Sequence, residues 1–304
     1  SRVLEFQGMN NNIMVDGCSL IGRTDIFSNS SWAALIYDWS GSANRSNNVT
    51  VKNCTLKGGA YGVYFYGDFS NPQHGNVFMN NDISDVYYMG MYFYYDDSIT
   101  VNKNKVRFLA LAQSFTSYGM QMQYCDNVRS VSSNDIVSIS NNSYGMYLRY
   151  NLNNPGDSSL FVNNFISCNN SLASSGNYGV YMYNCRNLFF AHNNVHINSG
   201  FTLSSAGSGM YAYTSSSSYG NYYFYNNNFR STKANTISVF YNINTSSVWF
   251  AQYNNYTATY HAYNGFAYTT IAAFATATGK NVGAMSLNPM YVSGSDLHIN
   301  NINL

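Results

Sequence analysis

The sequence predicts an all-β chain wound into a parallel β-helix, a solenoid of about ten coils, with a short helix near the C-terminal end. Three observations support this fold class. An aromatic phrase built around a glycine recurs at steps of 28, 29, 26, 34 and 30 residues. A second, alternating phrase recurs between its copies, and the 304 residues include only 3 prolines, so few ladder hydrogen bonds are lost. A fixed period of this size is typical of solenoids.

The aromatic phrase indicates one strand per coil. Its first copy is Y-G-V-Y-F-Y-G-D at residues 61–68, and its second is M-G-M-Y-F-Y-Y-D at 89–96. The glycines align in one column, which we extend backwards to Ala33 and forwards to Ser238. The column glycines are Gly62, Gly90, Gly119, Gly145, Gly179 and Gly209.

Alternation along each strand predicts which side chains face the interior. Two columns are almost entirely apolar, so we expect them to line the bore. The first is Ala34, Val63, Met91, Met120, Met146, Val180, Met210 and Val239. The second is Ile36, Phe65, Phe93, Met122, Leu148, Met182, Ala212 and Tyr241. The opposite columns therefore place two rows of tyrosine on the solvent side.

The second phrase predicts the remaining strands of each coil. N-N-V-T-V-K-N-C-T-L at residues 47–56 reads as a short alternating strand, a polar turn and another apolar residue. One turn column holds Asn104, Asn134, Asn193 and Asn227, with Cys18 and Cys54 in the early coils. We expect asparagine there because it tolerates left-handed backbone, and stacked amides can bond along the axis.

Composition restricts the functional classes. Only 9% of residues are charged and the net charge is +1, which argues against a nucleic-acid partner, since that needs a basic face. No apolar run approaches the roughly 18–20 residues of a membrane span. Near the C-terminus, Ile271, Phe274, Ala275 and Thr278 share one helical face. Thr269 or Thr270 can cap the start and Gly279 the end, so this helix would cover the end of the coil stack.

The turn column and coil period resemble right-handed parallel β-helix proteins of the pectate-lyase-like superfamily. The segment T-T-I-A-A-F-A-T-A-T-G-K-N-V-G-A-M-S-L-N-P-M-Y-V-S-G-S-D-L-H-I at residues 269–299 resembles the closing segment of large exported Bacteroidetes-type proteins. This resemblance implies a right-handed coil, an extracellular or cell-surface location, type IX secretion and further domains of the same long chain. We divide the chain into coils at 1–260 and, at 261–304, a final coil with the short helix and a closing segment that we expect to be truncated.

The tyrosine rows suggest a binding surface. Long exposed aromatic patches mark interfaces, and tyrosine suits a polysaccharide or another protein. Stacked aromatics that only stabilise the sheet explain the rows equally well. The candidate ligand-binding residues are Tyr64, Tyr66, Tyr92, Tyr94, Gln121, Gln123, Tyr147, Tyr181, Tyr183 and Tyr211. Gln121, Gln123 and Arg149 interrupt the rows in adjacent coils.

Four aspartates form a candidate metal site. Asp68 and Asp96 occupy one position in neighbouring coils, and Asp97 and Asp126 the next position. Carboxylates gathered at one turn repel unless neutralised, and Ca²⁺ takes 6–8 oxygen ligands. The alternative is a set of independent, solvated turn residues without a cofactor.

Resemblance to pectate-lyase-like enzymes implies a catalytic alternative. There, Ca²⁺ held by acids works with an arginine base, and Arg149 is the matching residue here. Three functions follow as expectations. The first is a non-catalytic module that binds carbohydrate or protein through the tyrosine rows. The second is a Ca-dependent polysaccharide lyase, and the third is a structural spacer or cargo domain.

Overall fold

The computed structural model describes residues 2–25, 28–39, 45–109, 116–140, 142–154, 156–169, 177–198 and 207–298. The chain winds as a parallel β-helix, and each coil crosses up to four sheets in turn. We call these sheets, in the order in which a coil meets them, the tyrosine sheet, the four-stranded sheet, the second long sheet and the third long sheet.

The strands of each sheet have the following bounds. The tyrosine sheet contains Leu4–Phe6, Ala34–Trp39, Tyr61–Tyr66, Met89–Tyr94, Ser117–Gln123, Ser143–Arg149, Tyr178–Tyr183, Met210–Tyr213, Ile237–Asn242, Tyr260–Tyr263 and Ala267–Tyr268. The four-stranded sheet contains Asn10–Asn11, Ser46–Asn47, Gln73–His74 and Asp96–Asp97. The second long sheet contains Met14–Asp16, Thr50–Lys52, Val77–Met79, Thr100–Asn102, Ser130–Ser132, Ser159–Val162, Arg186–Ala191, Gly220–Tyr225 and Trp249–Gln252. The third long sheet contains Ser19–Ile21, Thr55–Lys57, Asp82–Val86, Lys105–Phe108, Asp135–Ser138, Phe165–Cys168, Asn194–Ile197, Asn228–Ser231 and Asn255–Thr257.

Successive copies of the aromatic phrase pair directly through their backbones, as the sequence predicts. Met91 pairs with Val63 on one side and with Met120 on the other, in parallel. Only Ala267–Tyr268, among the described strands of this sheet, pairs antiparallel. Ten coils therefore cross the tyrosine sheet, which agrees with the predicted number.

Both predicted apolar columns line the bore from Val63 and Phe65 onward, whereas Ala34 packs in a separate cluster with Tyr37 and Tyr61. Met91, Met120 and Met146 are fully buried, and so are Phe65 and Phe93. These side chains belong to one continuous apolar cluster that runs along the axis of the solenoid. The assignment of methionine and valine to the inside is therefore confirmed.

The column glycines are required because adjacent strands approach closely at this position. A Cβ atom at Gly119 would lie 2.3 Å from Ile136 Cγ2 and 2.5 Å from the carbonyl oxygen of Gly145. Equivalent contacts recur from Gly62 to Gly179, and at Gly209 the contact is with the Ser238 carbonyl. The column and its forward extension are thus confirmed.

The backward extension to Ala33 is wrong by two residues. Ile36 pairs with Val63 and Tyr37 with Tyr64, so Leu35 rather than Ala33 lies beside Gly62. This register stacks Tyr37 on Tyr64 with ring centroids 5.0 Å apart. It also turns Asp38 into the bore, where the Gln73 amide donates a hydrogen bond to it.

The asparagine column forms a buried ladder along the axis. Asn104 Nδ2 donates to Asn134 Oδ1 at 3.1 Å, and Asn193 Nδ2 donates to Asn227 Oδ1 at 3.0 Å. The ladder also contains Asn81, Asn164 and Asn254. Axial bonding is confirmed, but the left-handed backbone falls one residue earlier than predicted, at positions such as Lys103 and Ser133 (φ 58° and 55°).

The predicted C-terminal helix is present at Ile271–Thr278, and a short 3₁₀ helix forms at Ser31–Ala33. Thr270 Oγ1 accepts a hydrogen bond from the Ala273 amide, and Gly279 ends the helix with φ 65°. Phe274 is fully buried against Tyr241 and Tyr268 of the last coils. The helix therefore covers the end of the stack. None of the described helices has the length and apolar character needed to cross a membrane.

The closing segment first continues the coil through parallel bridges from Val282 to Gln252 and from Met285 to Asn255, and it then runs back along the third long sheet. The Gly294 carbonyl accepts hydrogen bonds from Ser167 Oγ and His196 Nδ1, and the His298 ring stacks on Phe165 at 4.8 Å. Burial lowers the pKa of His196. The closing segment therefore packs against coils far earlier in the chain. The division of the chain at residue 261 stays a prediction.

Candidate functional site

The outer surface of the tyrosine sheet carries two columns of aromatic side chains, as predicted. We call this surface the tyrosine face. Its first column is Tyr37, Tyr64, Tyr92, Gln121, Tyr147, Tyr181, Tyr211, Phe240 and Tyr263. Its second column is Trp39, Tyr66, Tyr94, Gln123, Arg149, Tyr183, Tyr213 and Asn242. Most of these side chains are half-buried, because each is covered by the residues above and below it.

Most neighbouring rings in each column lie face to face, although the Tyr64 and Tyr92 planes are tilted by 47°. Tyr147 and Tyr181 have centroids 5.1 Å apart and planes 3° apart, and Tyr66 and Tyr94 have centroids 4.5 Å apart. Such stacking stabilises the sheet and also occupies the ring faces. A ligand approaching a continuous column therefore meets mainly ring edges and hydroxyl groups.

The tyrosine hydroxyls are neutral donors and acceptors. Burial, reinforced by the neighbouring tyrosines, raises the pKa of Tyr64, Tyr92 and Tyr181 above the ordinary value of tyrosine. An uncharged phenol can both donate and accept a hydrogen bond. The tyrosines of this face thus offer amphipathic, uncharged contacts at physiological pH.

Gln121, Gln123 and Arg149 interrupt the columns, and we call these three residues the ladder break. Gln121 pairs with Tyr92 on one side and Tyr147 on the other, and it is 6% exposed. Its amide oxygen is buried and has no hydrogen-bond partner among the described residues. The predicted polar interruption is therefore a real feature of the surface.

Arg149 is held by aromatic rings. Its guanidinium carbon lies 5.1 Å from the Tyr150 ring centre and 5.5 Å from that of Tyr183. Partial burial lowers the Arg149 pKa, but Tyr147 and Tyr150 outweigh this and raise the pKa above its usual value. A guanidinium with a raised pKa is a poor proton acceptor, so the predicted role of Arg149 as a base gains no support.

A cleft of about 390 Å³ borders the tyrosine face where its strands end. It is lined by Phe69, Pro72, Tyr95, Asp97, Tyr124, Asp126, Tyr150, Leu152 and Tyr219. One wall is a third stack, in which the centroids of Tyr95 and Tyr124 lie 4.8 Å apart and those of Tyr124 and Tyr150 lie 5.2 Å apart. These three tyrosines have φ of 50–53°, which turns the chain into the next sheet.

The structure separates the four predicted metal ligands. Asp96 points into the bore and is fully buried, with its oxygens 3.1–3.2 Å from Asn76 Nδ2. Asp97 and Asp126 project outwards into the cleft, whereas Asp68 bonds to Ser70. Alternation along Asp96–Asp97 causes the split, since adjacent residues of a strand face opposite sides. The four residues lie in three separate environments and do not converge on one Ca²⁺ position, so the predicted set is corrected.

The two cleft carboxylates are linked through the backbone. Asp97 Oδ1 accepts a hydrogen bond from the Asp126 amide at 3.1 Å, and Asp126 Oδ1 accepts one from the Leu152 amide at 2.6 Å. Burial raises the pKa of Asp126 to about 6, although the Leu152 amide and Arg186 lower it. Burial also raises the pKa of Asp97. His74 Nδ1 lies 3.9 Å from Asp97 Oδ2.

Sequence reasoning missed the cleft. Its third tyrosine stack follows the strand ends at a constant offset, with Tyr95, Tyr124 and Tyr150 each directly after the second column. This recurrence could have predicted the third stack. The left-handed backbone conformation of these tyrosines could not be predicted, because bulky residues seldom adopt it.

A larger cavity of about 590 Å³ lies near the C-terminal helix. Its walls include Trp249, Thr278 and Lys280, and the Lys280 ammonium lies 5.4 Å from the Trp249 ring centre. Lys280 is its single titratable lining residue. The tyrosine face and its cleft offer more varied chemistry and are the better candidate site.

Comparisons with solved structures give low similarity scores. The chain is similar to DFA-IIIase from Arthrobacter chlorophenolicus A6 in complex with DFA-III, with 10% identity, a TM-score of 0.37, and 88% of this chain and 70% of that chain covered. It is also similar to full-length tailspike protein 2 from Escherichia coli O157:H7 bacteriophage CAB120, with 11% identity, a TM-score of 0.29, and 94% of this chain but 38% of that chain covered. Scores this low carry no information about activity.

No curated protein sequence matches the chain. Residues 40–229 match the family described as "Right handed beta helix region". This match confirms the predicted right-handed solenoid. Because it covers more than half of the sequence, the chain belongs to the right-handed β-helix family.

Proposed function

We propose that this chain is a non-catalytic module that binds carbohydrate through the tyrosine face. The observation that carries the proposal is the continuous, outward, stacked surface with a polar ladder break at its centre. Rigid half-buried tyrosines lose little conformational entropy on binding. Their neutral hydroxyls, together with the amides of Gln121 and Gln123, match the many hydroxyl groups of a sugar chain.

Carbohydrate fits this surface better than a protein partner. Hot spots of protein interfaces combine buried aromatic anchors with strong apolar patches. Here the ring faces are covered by their own neighbours, as for Tyr147 and Tyr181. What remains exposed is edge and hydroxyl, and an extended polysaccharide can follow such a flat surface.

The test is binding of oligosaccharides to a variant lacking part of the tyrosine face. Tyr181→Ala combined with Tyr183→Ala should weaken binding by about tenfold or more, since each aromatic contact contributes on the order of 1 kcal/mol. Tyr223→Ala, which removes a stacked outward tyrosine from the second long sheet, is the matched control and should bind normally. Equal affinity of the double variant and the wild type would reject the proposal and favour the spacer role.

The proposal includes an exported setting. The uncharged polar surface and the resemblance of residues 269–299 to exported β-helix proteins support a cell-surface or extracellular region of a larger protein sent out by type IX secretion. Surface proteolysis of intact producing cells, followed by detection with an antibody against this chain, tests the location. Protection of the chain until the cells are lysed would contradict it.

One observation favours a second function, cleavage of polysaccharide. Asp97 and Asp126 share an aromatic-walled cleft, and an Asp126 pKa of about 6 suits a general acid near neutral pH. The Ca-dependent lyase is the weaker form of this idea, because its ligands are split and Arg149 remains cationic. Release of reducing ends that Asp126→Asn abolishes would support cleavage. If chelation of Ca²⁺ abolished cleavage, the Ca-dependent lyase would be the favoured function instead.

A further inference from the structure

The ladder break is the point at which the first column of the tyrosine face lacks a ring. Tyr64 covers Tyr92 on one side with ring centroids 5.1 Å apart, and Tyr181 covers Tyr147 on the other side, also at 5.1 Å. Gln121 stands between Tyr92 and Tyr147 in register. The two ring faces that look towards Gln121 therefore have no stacking neighbour within their column.

No neighbouring column fills this place. Tyr118 touches Tyr147 edge to face at 5.5 Å, and Tyr144 makes the same contact with Tyr181 at 5.5 Å. Since the Tyr181 stack is complete, this edge contact does not substitute for a stacked ring. Strands two coils apart are separated by about 9–10 Å, which is twice the stacking distance, so the Gln121 side chain occupies the place that one ring fills in neighbouring coils.

The floor and rim of the break can recognise hydroxyl groups. The Gln121 amide oxygen is buried without a partner in the described part of the chain, and a buried unpaired acceptor costs about 1–3 kcal/mol. Gln123 and Arg149 stand side by side in the second column and contribute amide and guanidinium donors. No ion pair of Arg149 occurs among the described residues. Its donors are therefore not committed to a carboxylate.

We propose that the ladder break is the subsite that seats one hexose ring of a polysaccharide chain between Tyr92 and Tyr147. A sugar hydroxyl donates to the Gln121 amide oxygen, while Gln123 and Arg149 donate to hydroxyl or ring oxygens. Gln121 is 6% exposed, so the side chains that cover it move aside when the ring is seated. This inference rests on the proposed carbohydrate binding and assigns it to one place on the surface.

The decisive variant is Gln121→Tyr, which completes the column with the residue that the neighbouring coils already hold there. We expect it to fold and to lower affinity by about tenfold or more, because the added ring occupies the subsite. Gln121→Met keeps the side-chain length but removes the acceptor, and should lower affinity by a smaller factor. Leu160→Tyr extends an outward aromatic column on the second long sheet and is the matched control.

The measurement is isothermal titration with hexasaccharides of glucose, N-acetylglucosamine, mannose, galactose and galacturonate. Loss of affinity for a hexose oligomer in Gln121→Tyr but not in Leu160→Tyr supports the assignment. Unchanged affinity in both Gln121 variants overturns it, and if Tyr181→Ala with Tyr183→Ala still weakens binding, the proposed function stands without this subsite. A wild-type protein that binds none of the five oligomers overturns both.

Discussion

Two carboxyl groups, Asp38 and Asp96, lie inside the bore; Asp38 stands in a column where the next coils hold Phe65 and Phe93, and Asp96 pairs with the buried Gln73. Asp38 is 2% exposed and accepts a hydrogen bond from Gln73, and Asp96 is bonded by Asn76. Burial raises the pKa of Asp38 to about 7 and that of Asp96 well above its ordinary value. Polar partners reduce the cost of these groups but do not remove it.

The pH dependence of stability should reveal Asp38. Its folded pKa of about 7 lies above the unfolded value near 3.8, so the folded state prefers the protonated acid. The contribution of Asp38 to stability is therefore greatest at low pH and falls as the pH rises from about 4 to about 7. Asp38→Asn imitates the protonated acid and should raise the free energy of unfolding by about 2–4 kcal/mol at about pH 8, with little change at about pH 4.

Urea unfolding of both proteins at the two pH values measures this difference. Asp68→Asn is the control, since hydrogen bonds from Ser70 lower the pKa of the exposed Asp68 carboxyl. Removing that carboxylate should give no stabilisation at high pH. An Asp38→Asn effect of equal size at both pH values would mean that Asp38 contributes through packing and not through its charge.

At the scale of the element, the glycine column controls how closely the strands of the tyrosine sheet and the third long sheet pack. Gly119→Ala places a methyl group against Ile136 and the Gly145 carbonyl, at distances no Cβ tolerates. We expect a loss of about 1–3 kcal/mol or more, typical of overpacking, measured by urea unfolding. Gly17→Ala, at φ 66° with open space around it, isolates the backbone cost alone. A smaller loss at Gly119 than at Gly17 would contradict the steric role of the column.

Element positions were largely predictable, because each coil repeats the same physical problem. Alternation of Met91 and Tyr92 predicted which side chains face inwards, and Thr269 or Thr270 with Gly279 predicted the ends of the helix. The first coil was not predictable: a register that buries Asp38 is favourable only because Gln73, in the next coil, supplies a donor. Such a partner depends on the three-dimensional arrangement and leaves no periodic signal.

The site was less predictable than the fold. The ladder break at Gln121 could be identified from the interrupted columns alone. The opposite orientations of Asp96 and Asp97 could be predicted only with the strand bounds known. From the sequence, two adjacent acids are equally compatible with a loop and with a strand whose successive side chains face opposite sides. The cleft depends on Tyr219 and Phe69, which come from different coils and meet only in the folded chain.

At the scale of the whole molecule, a solenoid distributes stability along its axis. Each coil contacts mainly its neighbours, so damage at one end should spread only as far as nearest-neighbour coupling carries it. The C-terminal end is covered by the helix, with Phe274 stacked on Tyr241 at 5.8 Å. The ladder break lies several coils away on the tyrosine sheet, whereas the closing segment returns along the third long sheet, so the ladder break should be insulated from this end.

Phe274→Ala tests this insulation. Removing a fully buried phenylalanine should cost about 3–5 kcal/mol locally, because it leaves a cavity between Tyr241 and Tyr268. Hydrogen exchange should accelerate in Ile237–Asn242 and Tyr260–Tyr263 but not in Ser117–Gln123, and oligosaccharide affinity should not change. Thr276→Ala, on the exposed side of the same helix, should leave exchange unaltered. Uniform acceleration along all coils would show instead that the solenoid unfolds as one cooperative unit, and that the end cap supports the binding face directly.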